Sequence, residues 1–385
     1  MRILQIAPPW FAVPPTGYGG IEAVVALLAD GLVDAGHEVT LLASGGSRTK
    51  ADLVTVYDDP PSARLGDGFV EAVHVLAGYR ERHNFDVIHD HTGPVGLAIA
   101  GVVDGPPVVR TLHSPWTPEV VALHRAAGHR PNVVTISHDQ ARRAPKDIHV
   151  TGVVPNGLSL DDLPLRSAPA SDEDYLLFVG RAAPEKGPAT AIEVARRLGR
   201  KLKMLIKVNE AAEKEYWHEV LLPAMDGIDV EVQPSMDNKA KGLLFAGAAA
   251  TLCPLAWAEP FGLMMVESMA TGTPVIAFAR GAAQDLVVDG KTGFLVPADD
   301  IDGMCAAVSM VSLIDPLECR RHVETYYSAD AMVNGYLEVF DKVTSSGRVI
   351  NLGAPRTSMS KPAPPSSTHT PRSAIRIAES RALPT

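Results

Sequence analysis

Two carboxylates, Glu259 and Glu267, interrupt the stretch LAWAEPFGLMMVESMATGTPVIA at residues 255–277, which is otherwise mostly apolar and small. If AATLCPLAW is a strand and a helix begins near Pro260, where proline is well tolerated, Glu259 falls in the turn. Phe261 to Met264 then supply first-turn N–H groups that have no intrahelical carbonyl. Such groups hold an anion, Gly262 lets it come close, and the helix dipole adds about half a positive charge. Glu267, about a turn and a half further along, can accept hydrogen bonds from sugar hydroxyls. The plainer alternative is an incidental N-cap at Glu259 and a surface carboxylate at Glu267.

A second group of residues complements the first. In VGRAAPEKG the apolar strand YLLFVG delivers Arg181 and, after a short turn, Lys186. Two cations beyond the carboxyl end of a strand lie where open α/β sheets bind ligands, and a diphosphate suits them. His113 ends the strand of VVRTLHSP and is expected to face the cleft between two domains, where an imidazole can hydrogen-bond a hydroxyl or stabilise charge. The loop TGYGG contains Gly17, Gly19 and Gly20 between a strand and a helix, a place for phosphate to meet backbone N–H groups. Its spacing is not G-x-G-x-x-G, and the second strand ends in ASGG without an acidic residue, so a dinucleotide site is not expected. His89, Asp90 and His91 in VIHDHTGP have i, i+2 spacing with no further matched ligand, so no metal site is expected.

The elements that must position these groups follow from the hydrophobic pattern. At 385 residues with 31 prolines and 32 glycines, two α/β domains are expected rather than a helical bundle. RILQIA, a loop, the helical IEAVVALLADGLVDAGHE and VTLLAS form a βαβ unit. FDVIHDH, PVVRTLHS, NVVTISHD and HVTGVVPNG continue the strands of a doubly wound first domain over residues 1–163. The aperiodic PLRSAPASDED marks a linker at 164–174. YLLFVG, LKMLIKV, VEVQP, AATLCPL, TPVIAF and GFLVP are the strands of a second Rossmann-like domain at 175–328. SADAMVNGYLEVFDKV, within 329–345, is one more amphipathic helix, and 346–385 is expected to be a disordered tail.

Net charge of −10 and a pI near 5.7 argue against a nucleic-acid partner. Cys253, Cys305 and Cys319 make neither a disulfide framework nor C-x-x-C spacing, which fits a reducing cytoplasm. The start MRILQIAPPW reads as a strand and not a signal peptide, and no apolar run spans a bilayer, so membrane contact is at most peripheral. Arg142, Arg143 and Lys146 in QARRAPK could face an anionic inner membrane surface or cap a solvated helix end.

Taken in order, YGG, TLHSP, VVPNGL, FVGRAAPEKG, EPFGLMMVE, ATGTPVIA and DGKTGFLV resemble the GT-B glycosyltransferases of family 4 across residues 1–345. The resemblance implies two tandem Rossmann-like domains facing a cleft, a C-terminal helix crossing back to the first domain, and metal-independent retaining transfer of a sugar. A UDP- or GDP-sugar would be the donor, with no other cofactor, and the acceptor a small molecule, a glycan or a lipid-linked hydroxyl. It further implies that Arg181 and Lys186 neutralise the diphosphate, and that Gly262, Leu263 and Met264 offer N–H groups. Glu267 would bind ribose, Glu259 sugar hydroxyls, and His113 the sugar from the opposite domain, with Gly19 and Gly20 near phosphate and acceptor. Glu259 is better placed as a positioning group than as a base. Two departures, KVNEAAEKEYW in place of a glycine-rich turn and VEVQPSMDN without its glycine, make Lys207 a further phosphate contact and leave the base open between uracil and guanine. Trp10, Phe11 and Trp116 either stack on sugar rings or meet lipid, or pack within their loops. A GT-B epimerase, a non-catalytic nucleotide-sugar binder and an NAD-dependent oxidoreductase are the rival readings.

Overall fold

The computed structural model describes residues 1–17, 19–171, 174–233 and 236–349. Two parallel sheets organise the chain. The first contains β1 (Arg2–Ile6), β2 (Glu38–Ala43), β3 (Asp52–Thr55), β4 (Val87–Asp90), β5 (Val108–Leu112), β6 (Pro131–Thr135) and β7 (Val150–Val153), in the order β3-β2-β1-β4-β5-β6-β7. The second contains β8 (Tyr175–Arg181), β9 (Leu202–Lys207), β10 (Val230–Gln233), β11 (Ala248–Cys253), β12 (Val275–Phe278) and β13 (Gly293–Val296), ordered β10-β9-β8-β11-β12-β13. Each sheet reverses its winding once, between β1 and β4 and between β8 and β11. Ligands of open α/β sheets gather beyond the strand ends at such a reversal. The topology therefore singles out the loops after β1, β4, β8 and β11.

The strands nearest the reversals are covered on both faces. Ile3 to Ile6 of β1 and all of β11 are buried, which is why they read as continuous runs and not as alternating ones. By contrast β3 is an exposed edge whose sequence DLVT carries no such run, and the hydrophobic pattern did not reveal it. The helices Ala211–Tyr216 and Pro316–Tyr326 likewise went unforeseen, because charged residues dominate both segments.

Several contacts join the halves. Residues after β7 meet the end of the second half, Leu158 N donating to Tyr327 O at 3.0 Å. Asp285 accepts from Asp139 N at 2.6 Å and from Arg142 at 3.1 Å across the divide. The last helix, Ala329–Val349, then lays Met332, Val333, Tyr336, Val339, Phe340 and Val343 into the core formed by Ile3, Val24, Leu28 and Val109 of the first half. Full burial of Tyr336 and Phe340 contributes roughly 2 kcal/mol or more each. This helix runs past residue 345 to Val349, four residues into the segment expected to be a tail, and the rest of that segment lies outside the described residues.

Candidate active site

Lys186 ends a short 3-10 turn, Pro184–Lys186, and its ammonium is bonded to Glu259 Oε2. Trp257 Nε1–H donates to the same oxygen at 3.0 Å, and the ammonium lies 4.9 Å from the Trp257 ring centroid. Glu259 is thus held by a cation and an indole, both drawn from loops at the β8/β11 reversal. Gly187 makes that meeting possible. It has φ 73°, and a Cβ there would stand 2.0 Å from the carbonyl oxygen of Pro254, so only glycine lets the lysine loop lie against the glutamate loop.

Arg181, the last residue of β8, bonds Glu185 and Glu213 at 2.9 Å each. Glu213 is buried and also accepts from the N–H of Asn209 at 2.8 Å and of Glu210 at 3.2 Å. Burial raises its pKa, but those N–H groups and the guanidinium outweigh burial and hold it below the ordinary carboxylate range. Burial lowers the pKa of the neighbouring Lys207, against the pull of Glu213 and Glu210. A capping box, Glu210 with Glu213, fixes the helix that carries this anchor.

Beyond β11 the helix is Leu263–Ala270, with Gly262 at φ 91° as its N-cap. It begins later than the expected start near Pro260, because Phe261 is drawn into the core, edge-on to Tyr327 with centroids 6.1 Å apart. Phe261 therefore is not in the first turn, and the groups without intrahelical carbonyls begin at Leu263 and Met264. Glu267 is paired with Lys241 of the helix Asn238–Ala246 at 2.7 Å.

On the facing half, Gly19 caps the helix Gly20–Asp34. A Cβ on Gly20 would lie 3.3 Å from Leu263 Cδ1, so the glycine loop of one half touches the helix start of the other. Glu22 in that first turn is buried, and burial pushes its carboxyl up to about 7. His113, just past β5, is half-buried with Nε2 3.0 Å from His91 Nδ1. Burial, helped by the charge of Arg110, depresses its pKa to about 3, so the ring is neutral at ordinary pH.

Two models of known families match, one described as Glycosyltransferase Family 4 over residues 18–162 and one as Glycosyl transferases group 1 over 163–325. A phosphatidyl-myo-inositol mannosyltransferase of Mycolicibacterium smegmatis is 30% identical over 334 residues, 80% of this chain and 84% of that protein. The chain is a GT-B glycosyltransferase of the family 4 type. A D-inositol 3-phosphate glycosyltransferase of Geodermatophilus obscurus is 26% identical over 73% of this chain and 72% of its own length. Among solved structures, a sucrose-phosphate synthase from Thermosynechococcus elongatus superposes with a TM-score of 0.72 at 17% identity, covering 90% of this chain and all of that one (100%). Anabaena HepE in complex with UDP gives 0.68 at 17% identity, covering 89% of this chain and 100% of its own. Both share the fold.

The structure brings together Lys186 with Glu259 and Gly20 with Leu263, and it places Arg181 at the end of β8 and Met264 and Glu267 on the helix after β11. His113 bonds within its own half. Sequence reasoning missed Glu185, Glu213 and Lys241, the carboxylates and cation that pair with the chosen residues, although the N-E-A-A-E spacing announced a capping glutamate. It also missed the role of His89 and His91, whose rings join a chain of hydrogen bonds with Gln5. Trp116 packs on His124 of the helix Pro118–Ala127 and donates to Gln140 O of the helix His138–Arg142 at 2.9 Å, while Trp10 is buried. Arg142 and Arg143 are tied to Asp285 and Asp139 and form no free basic patch. A crevice of about 740 Å³ between the halves is lined by Ile136, Ser137, Phe261, Asp285, Arg321 and Tyr327. It lies beside the Asp139–Asp285 contact, and none of the residues assigned to the donor lines it.

Proposed function

We propose that this glycosyltransferase moves a sugar from a UDP- or GDP-sugar to a hydroxyl acceptor with retention of configuration and without a metal ion. The observation that carries the reading is the convergence at one sheet reversal of Arg181, Lys186, Glu259 and the amino end of the helix Leu263–Ala270. Departure of a nucleoside diphosphate builds negative charge on phosphate oxygens. Two fixed cations and a helix end lower that barrier. Arg181 and Lys186 are already oriented by Glu185, Glu213 and Glu259, so little reorganisation accompanies phosphate binding. Glu259 would position sugar hydroxyls, Glu267 the ribose, and His113 the sugar from the other half, with Gly19 and Gly20 close to phosphate and acceptor. The acceptor hydroxyl attacks on the face the diphosphate leaves, and a phosphate oxygen takes its proton.

HepE, whose fold this chain shares, was solved with UDP and with UDP-glucose, which supports a nucleoside-diphosphate donor. The names of the relatives place an inositol or a phosphatidyl-inositol among their substrates, which supports a polyol or lipid-linked acceptor. No helix among the described residues is long and apolar enough to cross a membrane. Cytoplasmic location with peripheral contact at the inner membrane face fits the free cysteines and the exposed Phe69 and Val73 on the helix Gly68–Arg80. The test is a product assay with EDTA present, using UDP-glucose and GDP-mannose against inositol, inositol phosphate and phosphatidylinositol acceptors. An α-linked product from an α-linked donor is expected; a β-linked product, or turnover only on adding a divalent ion, overturns the reading.

A further inference from the structure

A continuous chain of hydrogen bonds runs beneath the cleft on the first half. His113 Nε2 is 3.0 Å from His91 Nδ1, His91 Nε2 is 3.1 Å from Gln5 Oε1, and Gln5 Nε2 is 3.2 Å from His89 Nδ1. His89 Nε2 is 2.8 Å from Thr111 Oγ1, which is 2.8 Å from the hydroxyl of Tyr336 on the last helix. The register of the sheet imposes this meeting, since Gln5 of β1 sits opposite His89 of β4. Gln5, His89 and Thr111 are almost fully buried, and burial holds His89 and His91 well below the ordinary imidazole pKa, so the rings are neutral.

A neutral imidazole has one donor and one acceptor, and a carboxamide has a fixed donor end and a fixed acceptor end. Gln5 turns its oxygen to His91, so His91 Nε2–H donates and His91 Nδ1 is left to accept. His113 Nε2–H must then be the donor to His91 Nδ1. With this amide orientation the Gln5 nitrogen donates to His89 Nδ1 and His89 Nε2–H donates to Thr111. The reversed amide would exchange every donor and acceptor along the chain, and the His113 tautomer distinguishes the two. Among the described residues the hydrogen bond of the His113 ring is made through Nε2, which leaves Nδ1 for a ligand.

We propose that Gln5 and His91 act as positioning residues that fix His113 as its Nε2–H tautomer, so that Nδ1 presents a lone pair to a sugar hydroxyl of the donor. His113 therefore accepts a hydrogen bond from the sugar and does not donate one. Glycosyl donors lacking that hydroxyl lose the contact, while the bare nucleoside diphosphate is unaffected. The inference rests on the proposed donor site for its ligand, but the tautomer itself is a property of the protein alone.

The test is a long-range ¹H–¹⁵N spectrum of the ligand-free, histidine-labelled protein, with His113 signals assigned by their loss in His113→Asn. A protonated Nε2 with a bare Nδ1 is expected. A bare Nε2 or a doubly protonated ring overturns the proposal, whatever the donor turns out to be. Binding supplies a second reading. His91→Leu should weaken UDP-glucose or GDP-mannose, whichever binds, by up to about 10-fold, the worth of one neutral hydrogen bond. UDP or GDP should bind the same variant unchanged, and His91→Gln, which keeps one acceptor and one donor, should recover most of the loss. Equal losses in the two variants, or an equal loss for the bare nucleotide, reduce His91 to a packing role and overturn the proposal. Failure of the wild-type protein to bind any nucleoside diphosphate would remove the donor reading and leave the tautomer result standing.

Discussion

The two halves of this glycosyltransferase present different groups at the reversals of their sheets. The second half places charges at the reversal of its sheet, as the pairs Lys186–Glu259, Arg181–Glu213 and Lys241–Glu267, each with at least one partly exposed member. At the equivalent reversal the first half places imidazole rings, with His89, His91 and His113 all held below the ordinary imidazole pKa by burial, beside a buried Arg110–Asp90 ion pair 3.2 Å across. The same topology, β1 against β4 and β8 against β11, therefore supports two chemistries. In the proposed function one half would meet phosphate with charge, and the other would meet hydroxyls with directional hydrogen bonds.

The largest effect expected from breaking the contrast comes from the charged half. Arg181→Ala or Lys186→Ala should lower turnover by roughly 100-fold or more, the cost of about 3 kcal/mol for one lost contact to developing charge, with Tm nearly unchanged. Steady-state assays beside a thermal melt would check this. Near-normal rates in both variants would mean that the cations only staple loops together. Gly187→Ala attacks the same half through its backbone. A side chain at φ 73°, 2.0 Å from the Pro254 oxygen, should cost about 2 kcal/mol or more and show as a lower Tm with loss of activity.

The histidine-bearing half should reveal itself through pH. His74, with a folded pKa lowered to about 4, and His113, lowered to about 3, bind fewer protons folded than unfolded between those values and about 6.5. Stability should therefore fall as pH drops from about 6.5 toward 4. Glu22 has the opposite sign, because its folded pKa of about 7 means that it destabilises progressively as pH rises from about 4.5 to 7. Glu22→Gln should accordingly be more stable than the parent at pH 8 and lose that advantage at pH 4, as chemical denaturation at the two pH values would show. The smallest effect is that of Glu267→Gln, which removes the charge paired with Lys241 and should weaken nucleotide binding by about 10-fold or less.

Much of this was legible in the sequence, for physical reasons that also mark where it stopped. Buried parallel strands such as AAATLC announce themselves as apolar runs, and the loops at their ends carried Arg181, Lys186 and Glu259 in recognisable order. The exposed edge strand Asp52–Thr55 has no such signature, because nothing covers it. The helix start near Glu259 was placed at Pro260 by local propensity, and tertiary packing of Phe261 moved it to Leu263. Partners separated by long stretches of chain, such as Glu213 for Arg181 or Gln5 for His91, are set by sheet register and not by spacing in the chain, so local pattern could not supply them. The i, i+2 spacing of His89 and His91 speaks only to metal ligation, and their bonding to Gln5 follows from β1 and β4 lying side by side.

The most direct measurement of the central claim is calorimetric titration of UDP and GDP into the wild-type protein, Arg181→Ala and Lys186→Ala with EDTA throughout. One of the two nucleotides should bind the wild type without a metal and bind each variant at least about 10-fold more weakly. Equal affinity for all three proteins, or binding that returns only when magnesium or manganese replaces EDTA, would contradict a diphosphate held by these two side chains.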